Sequence, residues 1–316
     1  MNKRITLVDI AEATGYSVNS VSRALMDAND ISEKTKERIR QVADELGYIP
    51  NKAAASLKKG NSKIIGVLYD DLLNPYYNSI FYYLEKSLSK LGYVIVYSGT
   101  KQFDMNAYSN MLSRNLEGII SFLVPTGDVE QRIKKQKFPT VIIGRKANDI
   151  SSVYAEDEKI GYLAARTLIE QKCKKVAYIG EIETTGISVL RAKGFAHEML
   201  NNKIEYKICY RKEDISLDEI IGKVLEDKEL DGIFCFSDYL AFRVLKNLKK
   251  YNRSDIVVVG VDNIKNEIDI PLDFMSIGQD KEKIVNDGLK LLFNQINNND
   301  FETQFIIEEL FVVKEI

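Results

Sequence analysis

The sequence predicts two folds in one chain, a small all-α helix-turn-helix head and a larger α/β body with two lobes. Three observations predict them. Residues 6–25 read as two short helices around a glycine. From Ile64 onward, apolar strand-like runs alternate with amphipathic helical stretches. The length of 316 residues, 45% of them hydrophobic, is enough for more than one core.

In the head, Thr6 is placed to cap the first helix, with Asp9 in its first turn. Gly15 supplies a left-handed turn at no steric cost. Ser17 then caps a second helix over about 18–25, with the small Ala11 and the β-branched Val21 meeting at the helix crossing. Ser32 caps a third helix that Gly47 ends. The expected mini-core is Leu7, Ile10, Ala11, Val21, Leu25, Ile39, Val42 and Leu46. Asn19, Ser20, Ser22 and Arg23 are expected on the exposed face of the second helix. Such side chains bond base edges and phosphates, so the head reads as a DNA binder.

These residues resemble the lactose-repressor/galactose-repressor family of bacterial transcription factors. The resemblance rests on T-L-V-D-I-A…G-Y-S…S-V-S-R-A-L, I-S-E-K-T-K-E-R-I, L-G-Y-I-P-N and A-A-A-S-L, in that order. It implies that Val18 and Asn19 read bases in the major groove. It implies that Ser20, Ser22 and Arg23 contact bases or backbone. It also implies a hinge helix at about 51–58 that enters the minor groove as a pair, with Leu57 as the wedge. Thr6, Ser17, Asn51 and Ala54 complete the expected DNA-binding set. Met26 and Ala55 stand where the family usually has Asn and Arg, and Tyr16 replaces a small aliphatic residue. The operator of a relative therefore does not transfer to this chain.

Charge is consistent with a modest electrostatic footprint. Residues 1–59 hold ten Lys/Arg and eight Asp/Glu, a net +2, against −2 for the whole chain. Specificity is then expected from base contacts and dimer geometry rather than from a polybasic tail. No apolar run is long enough for a membrane span, and no signal-peptide pattern precedes the head, so a cytoplasmic protein without membrane contact is expected. Cys173, Cys209 and Cys235 lack metal spacing and read as fillers in a reducing compartment. The single histidine, His197, reads as a surface residue. No Gly-rich phosphate loop follows a strand and no catalytic constellation is visible. Neither an enzyme nor a cofactor or metal is expected.

In the body, apolar runs at 64–69, 93–97, 118–124 and 140–144 form one set of parallel strands. Runs at 175–180, 204–210, 232–237 and 256–261 form a second. Helical stretches between them, such as 76–91, 160–171 and 239–248, make two doubly wound units joined near 154–158. The expected domains are a head at 1–59 and an effector-binding and dimerisation body at 60–316. The expected N-lobe is about 60–157 plus 281–308, and the C-lobe about 158–280 plus 309–316.

Ligands in such sheets sit beyond the carboxyl ends of the strands. Polar and aromatic residues collect there: Asp70, Asn74, Tyr76, Tyr77, Arg145, Arg191, Ser237, Asp262 and Gln279. Carboxylates and amides that bond paired hydroxyls, with aromatic rings for sugar faces, suit a carbohydrate. The body also resembles the same family and the periplasmic sugar-binding proteins, through N-P-Y-Y, R-A-K-G-F, S-D-Y-L-A, V-V-V-G-V-D-N and S-I-G-Q-D. The resemblance implies that Asn74, Arg191, Ser237, Asp262 and Gln279 face the effector. Ser237 and Arg243 depart from the Asn and Gly common in relatives, and no heptad tail for a tetramer follows the body. The resulting expectation is a homodimeric repressor of carbohydrate-utilisation genes that binds pseudo-palindromic double-stranded DNA. Its effector would be a small molecule, a sugar or glycoside, held between the lobes. A purine-type co-repressor or a protein co-regulator is the alternative within this class. A transport receptor is disfavoured, because it would carry a signal peptide and no head.

Overall fold

The computed structural model describes residues 5–49, 62–182, 186–212, 214–264, 273–298 and 300–314. The expected hinge at 51–58, with Asn51, Ala54 and Leu57, lies outside them. The chain divides into two compact units, Met1–Ser62 and Lys63–Ile316.

The first unit holds α1 (Leu7–Thr14), α2 (Val18–Leu25) and α3 (Glu33–Glu45). The Asp9 carboxylate accepts from the Thr6 backbone N–H at 2.8 Å and from its hydroxyl at 2.5 Å, fixing the start of α1. Gly15 ends it with φ +74°. Ser17 Oγ accepts from Ser20 N, and Ser32 Oγ from Thr35 N. Ile10, Ala11, Val21, Ala24, Ile39, Val42 and Ala43 form the core, with Leu7, Leu25 and Tyr48 packed against it. Leu46 departs from expectation and is 37% exposed. It lies past the last turn of α3, where the Tyr48 N–H bonds Ala43 O at 2.8 Å and returns Tyr48 to the core instead.

Among the described residues, the second unit contains two six-stranded sheets. The strands of the first are β1 (Ile64–Tyr69), β2 (Val94–Gly99), β3 (Gly118–Ser121), β4 (Thr140–Ile143), β5 (Ser152–Tyr154) and β11 (Phe305–Ile307). They run in the order β2-β1-β3-β4-β5-β11, all parallel. Helices α4 (Pro75–Lys90) and α11 (Lys281–Asn297) cover one face around Ile65, Val67, Ile80, Val141 and Leu292. Helices α5 (Met105–Leu112) and α6 (Val129–Gln136) cover the other around Leu68, Tyr108, Met111 and Ile142.

The second sheet has β6 (Lys175–Gly180), β7 (Glu205–Tyr210), β8 (Gly232–Cys235), β9 (Val257–Val261), β10 (Met275–Gln279) and β12 (Leu310–Val313). Its order is β7-β6-β8-β9-β10-β12, with only β12 antiparallel to its neighbour. Helices α7 (Asp157–Glu170) and α8 (Gly186–Asn201) pack on one face, α9 (Leu217–Leu225) and α10 (Asp238–Tyr251) on the other. Burial on both faces explains why the strands are continuous apolar runs rather than alternating ones. The chain passes between the sheets three times: from β5 into α7, from β10 into α11, and from β11 into β12. Cys173 and Cys235 are buried and Cys209 is half-buried, all as free thiols. No helix among the described residues is long and apolar enough to cross a membrane.

Candidate DNA interface and effector cleft

On α2, Ser17, Val18, Asn19 and Arg23 are exposed and Ser20 is half-buried. Thr6 is also exposed, its hydroxyl engaged by Asp9. The Ser20 hydroxyl shares a 2.9 Å hydrogen bond with that of Ser17. Arg23 is engaged too: Nη2 lies 2.6 Å and Nε 3.1 Å from Asp30 Oδ1. The hydrogen bond and charge of Asp30 raise the Arg23 pKa, and both partners stand in solvent. Ser22 corrects the expectation of exposure, being only 7% exposed. Val21, Ser22, Ala24 and Leu25 occupy one arc of the helix, and that arc faces the other helices. The remaining exposed face of α2 is narrow and centres on Val18, Asn19 and Arg23.

In the second unit, eight of the nine expected effector residues line one cleft. The first sheet supplies Asn74, Tyr76, Tyr77 and Arg145, and the second supplies Arg191, Ser237, Asp262 and Gln279. Phe122, Ile143, Gly144, Ile187 and Phe236 complete the wall. The cleft spans about 580 Å³, a figure that includes space open to solvent. Its polar residues come from strand ends and from the loops and first two helix turns that follow parallel strands, the position that this architecture reserves for ligands. Asn74 and Ser237 are helix caps as well. Asn74 Oδ1 accepts from Tyr76 N at 3.1 Å, and Ser237 Oγ accepts from Leu240 N at 3.3 Å. Each cap uses an acceptor, and the Asn74 amide nitrogen and the Ser237 hydroxyl proton can serve a ligand.

Asp70 is the exception, since it stands behind the wall instead of lining it. The Tyr77 hydroxyl donates a short hydrogen bond to Asp70 Oδ1, and Arg145 Nη2 lies 3.3 Å from Oδ2. Both carboxylate oxygens are thereby committed to holding Tyr77 and Arg145. Burial, reinforced by the Asp70 charge, pushes the Tyr77 phenol far above its ordinary range, so it remains a donor.

Sequence reasoning missed Asp157. Arg191 Nε donates to Asp157 Oδ1 at 2.9 Å, and Arg191 Nη1 donates a short bond to Phe236 O. The guanidinium carbon sits 4.6 Å from the Phe236 ring centre. The pair forms because α7 and α8 touch backbone to backbone. A Cβ on Gly161 would lie 1.9 Å from Arg191 O, and one on Gly194 1.9 Å from Glu158 O. Burial raises the Asp157 pKa against the pull of Arg191. Burial would lower the Arg191 pKa, but the carboxylates of Asp157 and Asp262 outweigh it and raise it. The sequence offers one faint signal for Asp157. It is an acidic residue in the first turn of a helix, which ordinarily reads as a favourable charge at a helix start.

Known proteins share this arrangement. The family model for bacterial regulatory proteins of the lacI family matches residues 6–51, and a periplasmic binding protein domain matches residues 65–300. The chain is 27% identical to the HTH-type transcriptional regulator MalR of Clostridium butyricum, over 96% of both chains. It is 28% identical to the sucrose operon repressor of Lactococcus lactis subsp. lactis, over 82% of this chain and 83% of the relative. The crystal structure of the lac repressor dimer bound to operator and the anti-inducer ONPF shares the fold, with a TM-score of 0.78, 21% identity and 98% of each chain covered. Over residues 65–300 the chain belongs to the periplasmic binding protein domain family, it carries a lacI-family helix-turn-helix head in front of that body, and the relatives that share this arrangement are transcriptional regulators.

Proposed function

We propose that this protein is a cytoplasmic, homodimeric repressor that binds a pseudo-palindromic operator and is controlled by an uncharged sugar or glycoside. In this reading residues 1–59 bind DNA, through Thr6, Ser17, Val18, Asn19, Ser20 and Arg23 on the head and Asn51, Ala54 and Leu57 on a hinge at about 51–58. Residues 60–316 bind the effector and the second copy. The N-lobe is about 60–157 plus 281–308, and the C-lobe about 158–280 plus 309–316. Ser22 is buried and acts at most through the fold of α2. The relative named for a sucrose operon supports carbohydrate control.

One observation carries the effector reading: polar residues from both sheets converge on a single cleft walled by aromatic rings. Its electrostatics favour a neutral polyol over an anion. The two guanidiniums in the wall are already paired, Arg191 with Asp157 and Arg145 with Asp70. A phosphate would meet guanidiniums whose charge Asp157 and Asp70 already offset, whereas hydroxyls can add to donors and acceptors already in place. A ligand on the cleft then changes DNA affinity only by its differential affinity for two states of the body.

The test is a thermal-shift screen of the full chain against sugars, glycosides, sugar phosphates and nucleobases. A ligand that binds the folded body raises its apparent stability. A neutral sugar should raise the unfolding temperature, and Asp262→Asn should remove that rise. Stabilisation by nucleobases alone would establish the purine-type alternative, and by sugar phosphates alone would contradict the neutral-ligand argument.

A further inference from the structure

We propose that Asp238 and Ser276 are positioning residues: they clamp the turn at 262–264 so that the Asp262 carboxylate stands in the cleft before any ligand arrives. The inference rests on the reading of the cleft as the effector site, and it adds two residues that do not line it.

The turn follows β9 and is conformationally demanding. Asp262 has φ +101° and Asn263 φ +51°, two consecutive side-chain-bearing residues in left-handed backbone. L residues rarely adopt such angles unless their surroundings enforce them. Asp262 N is held by the sheet, donating to Ile277 O at 2.9 Å. The next two amides leave the ladder and turn toward the interior, where an unpaired N–H is costly.

Two fully buried side chains receive them. Ile264 N donates to Asp238 Oδ2 at 2.7 Å, and Asn263 N donates to Ser276 Oγ at 2.9 Å. Ser276 Oγ in turn donates to Asp238 Oδ1 at 2.8 Å, joining both supports into one unit. Both side chains have no exposed surface. Asp238 comes from the first turn of α10 and Ser276 from β10, so the turn is gripped by two separate elements. The fit at Gly260 is close: a Cβ there would lie 2.2 Å from Asp238 Oδ1. Burial first, and the Asp262 charge second, push the Asp238 carboxyl up to about 8, so the two carboxyls lie within reach of each other's field.

The result is preorganisation. A carboxylate that already points at its ligand need not be ordered on binding, which removes an entropic cost. Asp238 and Ser276 act only through Asp262.

The experiment is amide hydrogen exchange on the ligand-free full chain, read at Asn263 and Ile264 and compared with β6. Asp238→Ala should speed exchange at both amides by at least about tenfold, with β6 unchanged. Ser276→Ala should speed Asn263 more than Ile264, because Asp238 still holds the latter. Asp238→Asn keeps a carbonyl acceptor for Ile264 and an amide for Ser276, and should restore near-wild-type exchange. Wild-type exchange in both alanine variants overturns the proposal, as does an asparagine variant as fast as the alanine one. If Asp238→Ala does not fold, Ser276→Ala decides alone. No ligand is needed, so failure of the clamp is distinguishable from failure of the effector reading. The latter would leave the turn protected while Asp262→Asn still responded to ligand.

Discussion

The head and the cleft hold their charged side chains in opposite ways. Arg23 on the head is 47% exposed, and its partner Asp30 is more exposed still. Arg191 in the cleft is 9% exposed and its partner Asp157 12%. A pair in water gains little and is screened by salt, so Arg23 can leave Asp30 for a phosphate. A buried pair has given up its hydration and cannot separate without leaving a charge unpaired. The head thus leaves its geometry for DNA to complete, whereas the cleft carries its geometry with it.

Breaking the two pairs tests this contrast, and the largest effect is expected in the body. Asp157→Ala leaves the Arg191 guanidinium buried without its ion-pair partner. It should destabilise the body by about 3–5 kcal/mol, measured by urea unfolding, and abolish the ligand response. Asp30→Ala should leave thermal stability close to wild type. A destabilisation by Asp157→Ala no greater than that by Asp30→Ala would remove the distinction drawn here.

On the head, Asn19→Ala should relax specificity at one base pair by about 1–3 kcal/mol, measured by competition between operator and single-substituted sites. Equal losses on operator and random DNA would contradict base reading by Asn19. Arg23→Ala should weaken binding to all sequences and lower the salt slope by about one. Asp30→Asn should strengthen non-specific binding, since Arg23 no longer has to leave a carboxylate. Titration of the affinity with salt checks both.

A pH dependence of the body is expected as well. Burial, then Asp262, raise the Asp238 pKa to about 8, with Lys281 pulling the other way and the Cys235 thiol nearby. A carboxyl raised above its unfolded value binds more protons folded than unfolded. Its contribution to stability is therefore present at low pH and lost as pH rises from about 4 through 8. Asp238→Asn should flatten the pH dependence of stability in that window. Unfolding free energies of wild type and variant across pH 4–9 check the sign. A variant slope as steep as wild type would show that Asp238 is not the group titrating.

The strand-end residues were legible because doubly wound sheets leave few places for polar groups after an apolar run. Asn74, Arg145, Ser237, Asp262 and Gln279 each follow or end such a run, and all line the cleft. Asp157 was not legible, because its role depends on helix–helix contact at Gly161 and Gly194, which no local pattern announces. Phe122 and Phe236 fall inside the apolar runs 118–124 and 232–237, yet they lie just past the ends of β3 and β8, where the wall begins. Asp70 follows the rule in sequence and breaks it in space, since Tyr77 and Arg145 take both its oxygens. Ser22 and Leu46 show the limit of helical periodicity in two- or three-turn helices. One residue at the edge of an arc, or one at the C-cap itself, changes sides without changing the pattern.

If the cleft controls the head, ligand binding and operator binding must be linked. This linkage is tested most directly by operator affinity with and without the sugar retained by the thermal-shift screen, in wild type, Asp262→Asn and Arg191→Ala. A ligand-dependent change in operator affinity is expected for wild type only, with ligand-free affinity near wild type in both variants. If both variants still respond at wild-type sugar concentrations, the cleft is not the effector site, and control through another surface replaces it.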